Sequence, residues 1–419
     1  MHVCVLGAGI AGLSTAYLLQ QAGHAVTVVD ASGPAAGASG GNGGQLSYSY
    51  VQPLADAGIW AQLPRLLLSP DSPLKIRPQL DPRQWAWGLR FLRACNAGQS
   101  ASTTRALLAL AAHSRDAFDA MREREQLDCD FSATGKLVLF RSEAGFVAAR
   151  RQLALQQELG GARQLAVTAA EALAIEPALA GAGETLAGAI YTPSECAADC
   201  QQACTGLAAL LQQRGAQLRF GTAATGFLRH GRRIAAVHTS AGEFAADAFV
   251  LALGTASAAL ARPLGLRLPL YPLKGYSITL ELEDDAGAPR VSITDSARKL
   301  VFARIGRRLR VAGMAELVGH DASIPPARIE TLESATRALF PQCRTSPGSA
   351  PWTGMRPATP TGLPIVGRHP RGPENLLLNT GHGALGFTLA FGTAQQVVAA
   401  LAPARPHPVL RPAPAAPHG

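Results

Sequence analysis

The stretch that most constrains this chain is its beginning. An apolar run, Val3 to Leu6, meets Gly7-Ala8-Gly9-Ile10-Ala11-Gly12, then a run with helical spacing that ends at Gly23-His24, then a second apolar run from Ala25 to Asp30. The order is strand, tight turn, helix, strand, acid. Gly7 permits the turn, Gly9 lets the backbone approach a pyrophosphate, and Gly12 lets the helix lie close on the strand, so that the helix N-terminus faces the phosphates. Asp30 stands where a carboxylate accepts hydrogen bonds from ribose hydroxyls, and it repels a 2′-phosphate. The pattern predicts a Rossmann-like α/β layer around a dinucleotide, with Gly7, Ala8, Gly9, Ile10, Ala11, Gly12, Asp30 and Ala31 in contact with it.

With 419 residues, 47% of them hydrophobic, the chain is long enough for more than one structural unit around a large core. The net charge of +9 is spread over scattered basic residues with no dense run, so a nucleic-acid partner is not expected, and anionic lipid or an acidic partner fits better. Seven cysteines form no disulfide framework and suggest a reducing compartment. Cys196, Cys200 and Cys204 would share one side of a helix, but no fourth ligand follows at a recognised spacing, so they are expected as buried thiols and no metal is expected. The first strand is expected from residue 3, with no basic segment or cleavage site before it, so secretion is not expected. Residues 375–403 lack Asp, Glu, Lys and Arg but carry Asn379, His382, Gln395 and Gln396, so a buried core helix is expected there rather than a membrane span.

Residues 31–47 are too rich in glycine to pack a core; they offer backbone N–H groups, with Ser39 and Asn42 as side-chain partners. Coming straight after the ribose acid, Ser39, Gly40, Asn42, Gly43, Gly44 and Gln45 read as a second clamp on a flavin dinucleotide. Residues 48–96 hold Trp60, Trp85 and Trp87, Leu66-Leu67-Leu68 and Phe91 among arginines and Lys75. Ordinary core under an inserted lobe is favoured over a membrane-facing patch, and both stay open. Helical spacing is expected over 100–128, 143–159 and 199–214, strands over 135–140 and 217–220, and a small meander through 234–246. The run from Ala248 closes on a turn at Gly254. Alternation from Tyr271 to Val311 suggests an antiparallel sheet, Pro325-Pro326 precedes a helix, and 403–419 is a Pro/Ala-rich tail.

Several segments together, the Gly7 to Gly12 turn with Asp30, Ser39 to Gln45, Tyr271 to Ser277, Gly313 to Glu316, Trp352 to Pro360 and Asn379 to Gly386, resemble the D-amino acid oxidase-like flavoenzymes, most closely the bacterial D-amino acid dehydrogenases. The resemblance implies an α/β fold with a Rossmann-like FAD-binding domain (1–50, 165–260 and 345–402). A mixed-sheet α+β substrate domain (51–164 and 261–344), as in glycine oxidase, completes it. It implies oxidation of a D-amino acid by hydride transfer from Cα to flavin N5, with electrons passing to a quinone or other acceptor. It also implies a cytoplasmic protein that works at the inner face of the bacterial membrane. Arg356 would hold the substrate carboxylate, because its planar fork makes two parallel hydrogen bonds. Gly254 and the turn Gly381, His382, Gly383, Ala384, Leu385, Gly386 would contact FAD, the turn supplying N–H donors. Tyr276, Tyr50 and Lys274 would line the pocket. Some relatives attach flavin through a cysteine where Gly354 stands here, so non-covalent FAD is expected. Thr361 replaces an aspartate common in the family, which puts local geometry after Arg356 in question. A cyclic or N-substituted amino acid (D-proline, cis-4-hydroxy-D-proline, sarcosine) or glycine, and an inactive flavin carrier, are the alternatives.

Overall fold

The computed structural model describes residues 1–60, 74–158 and 162–402. The strand His2–Leu6 lies inside a six-stranded sheet ordered Ile365–Arg368, Leu376–Thr380, Ala248–Leu251, His2–Leu6, Ala25–Val29, Gln217–Arg219, among the described residues. All neighbours pair parallel except the edge strand Ile365–Arg368. Parallel strands covered on both faces need continuous apolar runs, and Val3 to Leu6 and Ala248 to Leu251 are buried throughout.

The helix Ile10–Gln21 packs beside Gly386–Leu401, where Ser14 Oγ donates to the Ala390 carbonyl at 3.1 Å. Gly383–Leu401 has the length and composition to cross a membrane. Its Phe387 and Phe391 rings nevertheless meet Phe118 of the helix Ala97–Glu125 edge-on at 5.7 and 5.4 Å, inside the core cluster that also holds Leu13 and Tyr17.

A mixed sheet, nine-stranded among the described residues, forms the second layer. Its order is Ala350–Ala358, Tyr271–Glu281, Arg308–Leu317, Leu300–Ile305, Ser292–Asp295, Lys136–Phe140, Gly188–Thr192, Leu165–Val167, with Leu74–Ile76 added beside Arg308–Leu317. One face packs on the helix Pro326–Leu339 around Tyr276, Ile278, Phe302 and Leu332. The other face receives the glycine-rich segment after Asp30. The meander is Ala224–His230, Arg233–Thr239 and Gly242–Ala245.

Three expected boundaries move. Leu165–Val167 and Gly188–Thr192, assigned to the FAD-binding domain, are strands of the mixed sheet, and so is Ala350–Ala358. Ala97–Glu125, assigned to the substrate domain, packs in the core of the six-stranded sheet. The chain crosses between the layers repeatedly, and an apolar run does not encode which layer covers it. Cys200 and Cys204 share the helix Cys200–Gln213, whereas Cys196 lies on the short strand Cys196–Ala197; all three are buried thiols. Trp87 is core at 7% exposure, but Trp60 and Trp85 are 50% and 57% exposed, so the tryptophan segment is only partly core. Leu66 to Leu68, Leu159 and the 403–419 tail fall outside the described residues.

Candidate active site

The opening turn has the form that its glycines demand. Gly7 takes φ +116°, and a Cβ there would sit 2.5 Å from the Ala252 carbonyl oxygen. At Gly12 a Cβ would lie 1.9 Å from the Gly7 oxygen, a separation no side chain tolerates. The helix Ile10–Gln21 carries no acidic residue in its first turn and Gly9 provides no side-chain cap, so the N–H groups of Ala11 and Gly12 are left to an anion. Ser39 Oγ accepts the Ile10 N–H at 3.0 Å and brings the second glycine segment to the same helix end. Asp30 is fixed at the mouth by N–H groups of Ala8 (2.8 Å), Ser32 (2.8 Å) and Gly33 (3.0 Å), with Ala31 exposed beside it.

From Gly40 the segment runs across the open face of the mixed sheet. Asn42 Oδ1 accepts the Gly44 N–H, Ser277 Oγ donates to the Gly41 carbonyl at 3.0 Å, and Gln45 Nε2 donates to the Ile293 and Phe302 carbonyls. Asn42 and Gln45 therefore shape and anchor the loop with their side chains. Close approach explains the glycines: a Cβ on Gly41 would be 2.0 Å from the Trp352 ring, one on Gly43 3.0 Å from Val301, and one on Gly44 2.5 Å from Ile305. Arg310, unmarked by any sequence motif, lies beneath the loop. It is buried, and its Nη1 donates to the Asn42 carbonyl at 2.9 Å.

Arg356 sits on the edge strand with its side chain on this same face. Its guanidinium lies over Gly275 and donates from Nη1 to the Met314 carbonyl at 2.7 Å. Burial lowers its pKa to about 10, so it is charged at neutral pH, and no carboxylate pairs with it among the described residues. The rest of the fork is free for a ligand carboxylate. The strand continues to Ala358, which bridges to His382. That contact sets the turn Gly381 to Gly386 next to the Arg356 strand, with Gly381, Gly383 and Gly254 all at positive φ and Thr380 Oγ1 on the Gly254 carbonyl at 3.0 Å. Ala384 and Leu385 complete the short 3-10 turn that enters the apolar helix, again without a side-chain cap.

Three side chains, those of Lys274, Tyr276 and Tyr50, lie elsewhere than expected. Successive strand residues face opposite sides, and because Gly275 and Ser277 face Arg356 and the loop, Lys274 and Tyr276 face away. Tyr276 Oη donates to Glu316 at 2.7 Å, and Lys274 Nζ donates to the Ser323 carbonyl at 2.5 Å and lies 3.9 Å from Asp321. Tyr50 stacks over the Lys136 ammonium at 4.4 Å. The Lys136 strand is five strand spacings from Ala350–Ala358, about 24 Å of sheet. The His382 ring is buried and bonded through Nε2 to Thr393 Oγ1 at 3.0 Å, and burial lowers its pKa to about 4, so the ring is neutral at neutral pH. Gly275, Ser277 and Met314 stand inside segments that the sequence already marks, although nothing there singles out the Met314 carbonyl; Arg310 had no local signal.

A helix end with no acidic residue behind glycines that exclude any Cβ, a ribose-level acid and a second glycine clamp fit a flavin dinucleotide, and with a free arginine fork nearby they define a dinucleotide-dependent oxidoreductase. The family model described as "FAD dependent oxidoreductase" (DAO) matches residues 2–400, and the chain belongs to that family. It is 52% identical to D-amino acid dehydrogenase 2 of Ralstonia nicotianae (94% of this chain, 95% of the relative) and 47% identical to D-amino acid dehydrogenase 2 of Pseudomonas aeruginosa (94% and 93%). Among solved structures, glycine oxidase of Geobacillus kaustophilus superposes with a TM-score of 0.75 at 22% identity (96% of this chain, 95% of that one). L-amino acid deaminase of Proteus myxofaciens superposes with a TM-score of 0.69 at 17% (95% and 90%). These two likenesses speak for the fold.

Proposed function

We propose that this protein is a D-amino acid dehydrogenase that converts D-amino acids to 2-oxo acids and ammonia. The observation that carries the reading is the free, charged fork of Arg356 on the face beneath the glycine clamp; the two dehydrogenases at 52% and 47% identity support the substrate class. FAD, when bound, supplies the acceptor for the hydride that leaves Cα.

The chain's residues hold and orient. The N-terminus of Ile10–Gln21 with Ser39 would hold the pyrophosphate, Asp30 would hold ribose hydroxyls, and the N–H groups of the Gly383 to Gly386 turn would supply donors to the flavin. Gly354, in the place of an attachment cysteine, leaves FAD non-covalent. Arg356 binds the substrate carboxylate through two hydrogen bonds, and the neutral amine supplies the electron pair that forms the C=N bond as hydride departs. No strong protein base is required, and positioning supplies most of the rate. Water then adds to the imino acid and ammonia leaves.

The electrons pass to a quinone or another acceptor at the inner face of the cytoplasmic membrane. Exposed Leu54, Trp60, Leu80, Trp85 and Leu89 beside Arg83, Arg90 and Arg93 support a peripheral contact there. Anaerobic titration of the purified yellow protein with D-alanine, L-alanine, D-proline, cis-4-hydroxy-D-proline and sarcosine tests the reaction. Bleaching by D-alanine and not by L-alanine is expected; reduction by a secondary amine alone, or by none of the five, overturns the reading.

A further inference from the structure

The Arg356 side chain does not stay on its own strand. It crosses the neighbouring strand Tyr271–Glu281 over Gly275, where an added Cβ would lie 2.3 Å from Nη2 and 2.4 Å from Cζ. It ends on the Met314 carbonyl, one strand further in, at 2.7 Å. Met314 occupies a bulge: the pairing of Tyr271–Glu281 with Arg308–Leu317 passes from Lys274 opposite Glu316 to Tyr276 opposite Gly313, so that Met314 and Ala315 together stand against Gly275. The Met314 backbone has φ +60°, a left-handed conformation that a methionine rarely adopts. Its side chain is buried in the cluster behind the sheet with Tyr276 and Leu300, and that packing holds the residue in place.

We propose that Met314 is the positioning residue for Arg356. The left-handed bulge aims its carbonyl at Nη1, and the bare Gly275 keeps the path across the strand clear. One edge of the guanidinium is thereby fixed, and the other is presented to the substrate carboxylate in a single orientation. The inference rests on the assignment of Arg356 as carboxylate holder. It explains why a conformation with a steric cost persists in an otherwise regular sheet, since such backbone persists where its surroundings over-determine it. A freely rotating arginine would have to be ordered by each substrate molecule, whereas this one is ordered before substrate arrives.

The test separates aim from packing by using two substitutions whose effects run in opposite order. Met314→Val keeps much of the buried side chain, but its branched Cβ resists positive φ. Met314→Gly loses the side chain and keeps the conformation. With the FAD-loaded enzyme, Met314→Val is expected to raise KM for D-alanine about tenfold with kcat within about threefold and FAD content unchanged. Met314→Gly is expected to stay within about threefold in KM although its Tm falls further than that of Met314→Val. KM that tracks Tm through the pair overturns the proposal, as does a wild-type KM in Met314→Val. If Met314→Val does not fold, Gly275→Ala takes its place; a raised KM with FAD retained is expected, and a wild-type KM overturns the proposal. Arg356→Ala is measured alongside. If it raises KM while the Met314 and Gly275 variants do not, the positioning role alone fails; if it too leaves KM unchanged, the carboxylate assignment fails with it.

Discussion

The mouth of the six-stranded sheet and the Arg356 face of the mixed sheet work by different means. At the mouth the groups proposed to meet the dinucleotide are backbone N–H groups at a helix end, and what the side chains must do is stay absent: Gly7 and Gly12 are excluded from bearing a Cβ by the Ala252 and Gly7 oxygens. On the mixed sheet the group proposed to hold the substrate is a side chain, Arg356, whose place depends on strand face, on a glycine in the next strand and on a bulge in the one beyond. A site made of backbone is written in residue spacing, whereas a site made of one long side chain is written in tertiary register.

The contrast is sharpest in substitution. Gly12→Val places branched atoms where 1.9 Å is available, so FAD binding and soluble expression should both be lost, read as absence of yellow protein. A stable Gly12→Val enzyme with normal FAD content would break the comparison on its backbone side.

The buried turn at His382 belongs to the mouth and predicts a pH dependence. Native His382 protonates only near pH 4, whereas an unfolded histidine does so near about 6.5. The unfolded state therefore binds the extra proton first. Stability from this group is present above about pH 6.5 and is lost as pH falls toward 4, by about 3 kcal/mol at most. Urea melts at pH 7 and pH 4.5 on wild type and His382→Asn check it: the wild type should lose more than the variant, and equal losses would remove the argument.

The smallest effect is expected on the far face. Tyr276→Phe removes the hydrogen bond to Glu316, which should cost about 1–2 kcal/mol of stability. Because that hydroxyl faces away from Arg356, kcat/KM for D-alanine should change by less than about threefold. A larger loss at unchanged FAD content would return Tyr276 to the reacting side.

What was legible in the sequence follows the same division. The strand, glycine turn, helix and acid at residues 3–30 are present as expected, because glycine spacing encodes the backbone path itself. Arg356 stood out through the motif around it. Lys274 and Tyr276 flank Gly275 in one recognisable segment, and the alternation that separates them from it was visible; which face meets the loop was not, because that depends on Ser277 reaching Gly41 across 236 residues. Tyr50 follows the clamp closely in sequence but is carried across the sheet to Lys136. Met314 lies in a segment that carries the resemblance, but its left-handed φ and its reach to Arg356 have no local mark, since they arise from a bulge between strands paired far along the chain.

The central claim is that the free edge of Arg356 holds the substrate carboxylate. The measurement that meets it most directly is anaerobic stopped-flow reduction of the FAD-loaded wild type and Arg356→Ala by D-alanine. Loss of a charge-assisted bidentate contact should lower the second-order rate constant for reduction about a hundred- to a thousandfold, about 3–4 kcal/mol, at unchanged FAD content. A rate constant within about threefold of wild type would contradict the account.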